Sequence, residues 1–167
     1  MTRPITRSLL VMLGVIAFTG VLPVQAKDPV PADPWEVIHA ARELGDAEVR
    51  RDTLRDPLIV ARSGSLPYHI AFYGCHLGRD CETLLFQARL RDPRWERDPP
   101  KPTDMDAWNA TKVYGRAVLT DSGHAVLEHP VAMHGGIPKE TLSATFEAWR
   151  DALEDFSDHI DFERQSR

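Results

Sequence analysis

YHIAFYGCHLGRDCETLLFQARL, residues 68–90, is the stretch whose reading decides the fold. It reads as a β-hairpin whose loop lies between the chain's two cysteines, Cys75 and Cys81. Opposing them leaves a five-residue loop, His76 to Asp80, with Gly78 able to take a positive φ. The register can be tested on the remaining residues. It sets Phe72 against Leu84, Ile70 against Phe86 and Tyr68 against Ala88 on one face, because side chains alternate along a strand. The other face receives Tyr73/Thr83, Ala71/Leu85 and His69/Gln87, a mixed and half-wet set. A slip of one residue would scramble the two sets, so the apolar pattern supports the pairing without help from the cysteines.

Three readings compete for Cys75 and Cys81. A redox-active pair is disfavoured, since five intervening residues are not the C-x-x-C spacing that depresses a thiol pKa. A metal site is disfavoured because two sulfurs are too few ligands. A structural disulfide fits best, given the secretory character of the N-terminus, and closing so small a loop contributes roughly 2 kcal/mol on the loop-entropy model.

That character resides in MTRPITRSLLVMLGVIAFTGVLPVQA, residues 1–26. Arg3 and Arg7 precede an apolar run from Leu9 to Leu22, and Val24-Gln25-Ala26 supplies small residues for cleavage after Ala26. The run is shorter than the ~20 residues of a membrane-spanning helix, so the expectation is a signal peptide and a periplasmic or secreted protein with no membrane attachment after cleavage. Removing 26 residues that carry two arginines and no acid leaves 141 and takes the formal charge from −5 to −7. That length suits one domain, 33–164, behind a flexible proline-rich leader, 27–32, without core residues. Mildly acidic, mixed-sign composition argues against nucleic acid and against anionic membrane surfaces.

Asp33-Pro34-Trp35-Glu36 predicts a helix start, with Val37, Ile38, Ala41 and Leu44 as its apolar stripe and Gly45 as its stop. Ala47–Arg51 and Leu58–Arg62 are strand candidates leading into the central hairpin. Residues 91–102, RDPRWERDPPKP, read as a surface crossover carrying an exposed Trp95, either a lid over the sheet edge or a partner anchor. Thr103–Ala110 predicts a short helix capped by Thr103, with Trp108 inward; Asn109-Ala110-Thr111 also matches a glycosylation sequon, a pattern common by chance. Lys112–Thr120 and His124–Val131 form a second hairpin, with Arg116 facing Glu128 and Val118 facing Val126. Its core face is expected to hold Ala117, Leu119, Ala125 and Leu127. Pro138 opens a terminal helix with apolar residues Leu142, Phe146, Trp149, Leu153, Phe156 and Ile160 at helical spacing. So bulky a stripe packs across the sheet, or else stays partly exposed as a dimer or partner groove centred on Phe146 and Trp149.

Chemistry is sparse. There is no Ser-His-Asp arrangement with a nucleophile elbow, no phosphate-cradling glycine loop, and no pair of carboxylates placed for acid–base work, so neither an enzyme nor a cofactor is expected. His124 and His129 differ by an odd number and point to opposite faces of a strand. His129, Met133 and His134 are the one alternative, a loop that could wrap a soft metal such as copper.

The run FYGCHLGRDC, then AWNATKVYGRAVLTDSGHAVL, then GGI and a terminal helix bearing Trp149, resembles the YbjN-domain family of bacterial sensory transduction regulators, here in a secreted form. The resemblance spans Trp35 to Phe162, with a proline-rich 91–102 insert and the histidines of 124–134 as departures. It implies a fold like that of type III secretion chaperones and brings no catalytic residues. The expectation is an α+β domain, a curved and mostly antiparallel sheet of five to six strands with three helices. Its expected role is that of a non-catalytic periplasmic binding or regulatory module for a protein partner, with a homodimer as a second form of association.

Overall fold

Alternation in the central hairpin sets the register on which the other strands build. The structure is a computed structural model that describes residues 29–162; the segment read as a signal peptide lies outside the described residues. β3 (Leu66–Tyr73) and β4 (Thr83–Leu90) pair with Ile70 opposite Phe86, Phe72 opposite Leu84 and His69 opposite Gln87, the register expected from the apolar pattern. Beyond the strands the Cys75–Cys81 disulfide closes the hairpin. The loop inside it tightens further: the His76 and Arg79 N–H groups each donate to the other residue's carbonyl, at 2.8 and 3.0 Å. Leu77 and Gly78 form the two-residue tip, both with positive φ (52° and 75°).

β1 (Ala47–Arg51) and β2 (Pro57–Ser63) extend the sheet on one side, β5 (Arg116–Leu119) and β6 (Ala125–Ala132) on the other. The order is β1-β2-β3-β4-β6-β5, antiparallel throughout, and the sheet is open. In the second hairpin Arg116 faces Glu128 and Val118 faces Val126, as expected.

All three helices cover one face. α1 (Pro34–Leu44) begins where the Asp33 carboxylate accepts the Trp35 N–H at 2.8 Å, and buries Val37, Ile38 and Ala41. α3 (Lys139–His159) lays its whole apolar stripe on the sheet and against α1 and α2 (Pro102–Thr111). At the centre Phe86 meets Phe146 edge-on at 5.0 Å and Trp149 at 5.5 Å, while Tyr68 lies 5.9 Å from Trp149. Trp108 packs on Phe156 at 5.1 Å. Such aromatic pairs contribute roughly 0.5–1.5 kcal/mol each beyond the area they bury.

Four local readings differ from expectation. Residues 29–32 join the core instead of forming a bare leader: Val30 and Ile137 exchange two backbone hydrogen bonds (2.7 and 3.0 Å), the Ala32 carbonyl accepts from the Cys81 N–H, and Ala32 is 2 % exposed. Residues 93–96 make a 3₁₀ turn, started by Asp92, whose carboxylate accepts the Arg94 N–H. Lys101, not Thr103, caps α2, because the Asp104 carboxylate accepts the Lys101 N–H at 2.7 Å and Pro102 fits the first turn. β5 starts at Arg116, not Lys112, because Gly115 turns the chain at φ 79°, where a Cβ would come within 2.9 Å of Leu127.

The two edges of the sheet are treated differently. Along β5, the Asn109 amide of α2 copies a strand: its Nδ2 donates to the Ala117 carbonyl at 2.9 Å, and its Oδ1 accepts the Ala117 N–H at 2.8 Å. Trp108 Nε1 donates to the Gly115 carbonyl at 3.0 Å beside it. The outer side of β5 is thereby occupied at Ala117 and at the preceding Gly115, and the Asn109 amide is committed to structure. β1 has a neighbour on one side only.

Two outcomes follow from these contacts. Cys75→Ser under oxidising conditions lowers stability by about 2 kcal/mol, a fall in Tm of roughly 5 °C by calorimetry that reductant reproduces in the parent chain. Asn109→Ala removes two hydrogen bonds at about 1 kcal/mol each, and native-state hydrogen exchange reads the loss as faster exchange at Ala117.

Candidate functional site

The residues singled out from sequence as partner anchors lie inside the molecule. Phe146 (2 % exposed) and Trp149 (0 %) are the centre of the core, because the stripe of α3 packs across the sheet; the reading of a partly exposed groove is thereby corrected. Trp95 (8 %) is corrected in the same way: the 3₁₀ turn tucks its ring under the chain, 6.1 Å from the ring of Phe162. Cys75 and Cys81 are joined as expected. Of the three candidate metal ligands, Met133 is buried, His129 stacks on the Tyr114 ring at 3.8 Å, and His134 is exposed on the loop beyond. Among the described residues no group of three or more His, Cys, Asp or Glu side chains is placed to hold a metal ion.

What is left open is the second face of the sheet. With the helices all on one side, the alternate residues of every strand face outward. Cross-strand pairing arranges them in rows. Leu58, Ala71, Leu85 and Pro130 form an apolar row across four strands. The next row is polar: Val60 faces His69, which faces Gln87, which faces Glu128, which faces Arg116. In the row beyond, Arg62 faces Pro67 across β2–β3, and Arg89 faces Val126 across β4–β6. Tyr73, 52 % exposed and opposite Thr83, ends the surface near the hairpin tip.

Charge is partitioned between the two sides. The open face carries Arg50, Arg62, Arg89 and Arg116 against Glu48 and Glu128, whereas the outer surface of α3 carries Glu140, Glu147, Asp151, Glu154, Asp155 and Asp158. An acidic chain thus presents its open sheet as a locally basic surface. His69 sits in this field: burial first, and then the charge of Arg89, hold its pKa below the ordinary histidine value, against a hydrogen bond with Gln87. On the helix side, burial likewise lowers His129.

The signal for this surface was present in the half-wet alternation of the central hairpin, His69/Gln87 and Ala71/Leu85. Large aromatics drew the functional reading toward the core face instead.

Both histidines are depressed relative to their unfolded values, so the unfolded chain binds more protons below the ordinary histidine pKa of about 6.5. Stability is therefore complete above that pH and falls as pH drops below it. The double substitution His69→Gln, His129→Gln flattens this part of the Tm-against-pH curve.

Comparison with known proteins agrees with this architecture. A family model described as "YbjN: Putative bacterial sensory transduction regulator" matches residues 35–162, from the first turn of α1 to the end of the described chain. No curated protein matches the chain significantly. Since that span holds all six strands and nearly the whole of all three helices, the chain belongs to the YbjN family of bacterial sensory transduction regulators.

Proposed function

We propose that this chain is a non-catalytic regulatory module of the periplasm that holds a protein partner on the open face of its sheet. The observation that carries the reading is the outward-facing row Leu58–Ala71–Leu85–Pro130, with Arg50 opposite Leu58 at its end, His69 in the row beside it, and Arg62 and Arg89 in the row beyond. An apolar strip beside basic side chains suits a polypeptide that offers apolar and acidic residues in alternation. The family description is regulatory, which fits a protein that works by association. The periplasmic assignment is supported by the signal-like segment 1–26 and by the disulfide, a bond that persists in oxidising compartments.

Site-specific photo-crosslinking in intact cells tests the reading. A crosslinking residue at Leu85 or Ala71 is expected to trap a discrete adduct, and one at Glu147 on the outer face of α3 none. Adding Arg89→Glu to the Leu85 probe weakens the adduct. Adducts of equal yield from both faces, or none from the sheet, overturn the proposal.

A further inference from the structure

We propose that two copies of this chain join through β1, edge to edge, and merge their sheets across a two-fold axis at Val49. The case begins with the hydrogen-bond phase of the strand. The Arg62 N–H donates to the Asp46 carbonyl at 2.9 Å, and the Asp52 N–H to the Asp56 carbonyl at 2.9 Å. In an antiparallel pair such bonds fall on every second residue, so the even-numbered residues of this strand bond inward to β2. The N–H and C=O groups of Ala47, Val49 and Arg51 then point away from the sheet. Among the described residues the one partner on that line of groups is the Arg42 side chain, whose Nε lies 3.4 Å from the Ala47 carbonyl, a long bond that an incoming strand would replace. The opposite edge, β5, is occupied by Asn109 and Trp108.

The sequence of β1, Ala-Glu-Val-Arg-Arg, then selects the occupant. An antiparallel copy centred on Val49 sets Val49 against Val49 and Ala47 against Arg51 of the second copy, all outward-bonding positions. Each of these three pairs exchanges two hydrogen bonds. It also sets Glu48 against Arg50 of the second copy, twice, at non-hydrogen-bonded positions where facing side chains lie closest. Within one chain Glu48 and Arg50 already form an ion pair on the open face. The neighbouring symmetric registers fail. Centring on Glu48 opposes glutamate to glutamate, and centring on Arg50 opposes arginine to arginine; centring on Ala47 opposes Asp46 to Glu48. Like charges directly opposite are destabilising, so one register survives. A two-fold contact needs a patch complementary to itself, and this five-residue strand has that property. The product would carry both open faces on the same side of one continuous sheet.

Sedimentation equilibrium on the purified, oxidised protein in its naturally processed form tests the inference. The parent is expected to show a concentration-dependent dimer. Glu48→Arg or Arg50→Glu alone places like charges opposite each other at two positions and raises the dimer Kd by roughly tenfold or more. The double exchange Glu48→Arg, Arg50→Glu restores opposite pairs and brings the Kd back to within about threefold of the parent. Val49→Pro removes an outward N–H that has no bond among the described residues of the monomer, so it abolishes the dimer while circular dichroism keeps its native form. A parent that stays monomeric up to about 1 mM overturns the inference, since an affinity weaker than that is no specific contact. A dimer indifferent to both single charge reversals overturns it equally. Neither result bears on crosslinking at Leu85, which tests the open face separately.

Discussion

The packing of one helix on one sheet is the contact on which everything else in this molecule depends. α3 brings Phe146 and Trp149 onto Phe86 and Tyr68, and its remaining apolar residues cover the sheet from there. A sheet face with Ile59, Ile70, Phe72, Leu84 and Leu90 all buried cannot be left wet, and among the described residues α3 is the longest element available to cover it. The arrangement tolerates a local cost: the Tyr68 hydroxyl and the Trp149 indole N–H are buried with no hydrogen-bond partner among the described residues. Burial pushes the Tyr68 phenol well above its ordinary pKa, so it stays neutral at physiological pH. The area buried by two large rings outweighs the polar atoms they carry inside.

Because that helix takes the apolar stripe, the surfaces left uncovered are ones that sequence patterning marks only weakly. The strands and their registers were legible in advance, since alternation permits one pairing for Ile70/Phe86 and one for Val118/Val126. The caps and insert were less so. Thr103 looked like the helix N-cap because its side chain is suited to the task, but Pro102 and the Asp104 carboxylate moved the start to Lys101. Trp95 looked exposed because charges and prolines surround it; whether such a ring turns inward depends on contacts with Phe162, 67 residues away. The same holds for Val30 and Ala32, whose docking requires the loop that ends at Ile137. Periodicity reports local geometry and is silent about contacts of that range.

The family resemblance gains a physical account from the structure. Within the recognisable run, Trp108 is bonded to Gly115 and Asn109 to Ala117. The indole and the amide bond to the backbone of the edge strand, and the glycine makes room for Leu127 at the bend. The motif therefore specifies how one margin of the sheet is finished. The two margins of the sheet differ: the β5 side is bonded by side chains of α2, whereas β1 pairs with β2 alone among the described residues.

The order of elements along the chain has a consequence for how the protein is made. Every strand precedes α3, and the helix that covers their apolar face is the last element of the described chain. During synthesis from the N-terminus, Tyr68 and Phe86 are complete long before Phe146 and Trp149 exist to receive them. Such a polypeptide cannot finish its interior piece by piece, and a truncation before Leu142 would leave the middle of the sheet's core face without its cover, with α1 and α2 on the flanks alone. The core therefore closes late, once Phe146 and Trp149 can reach Phe86 and Tyr68.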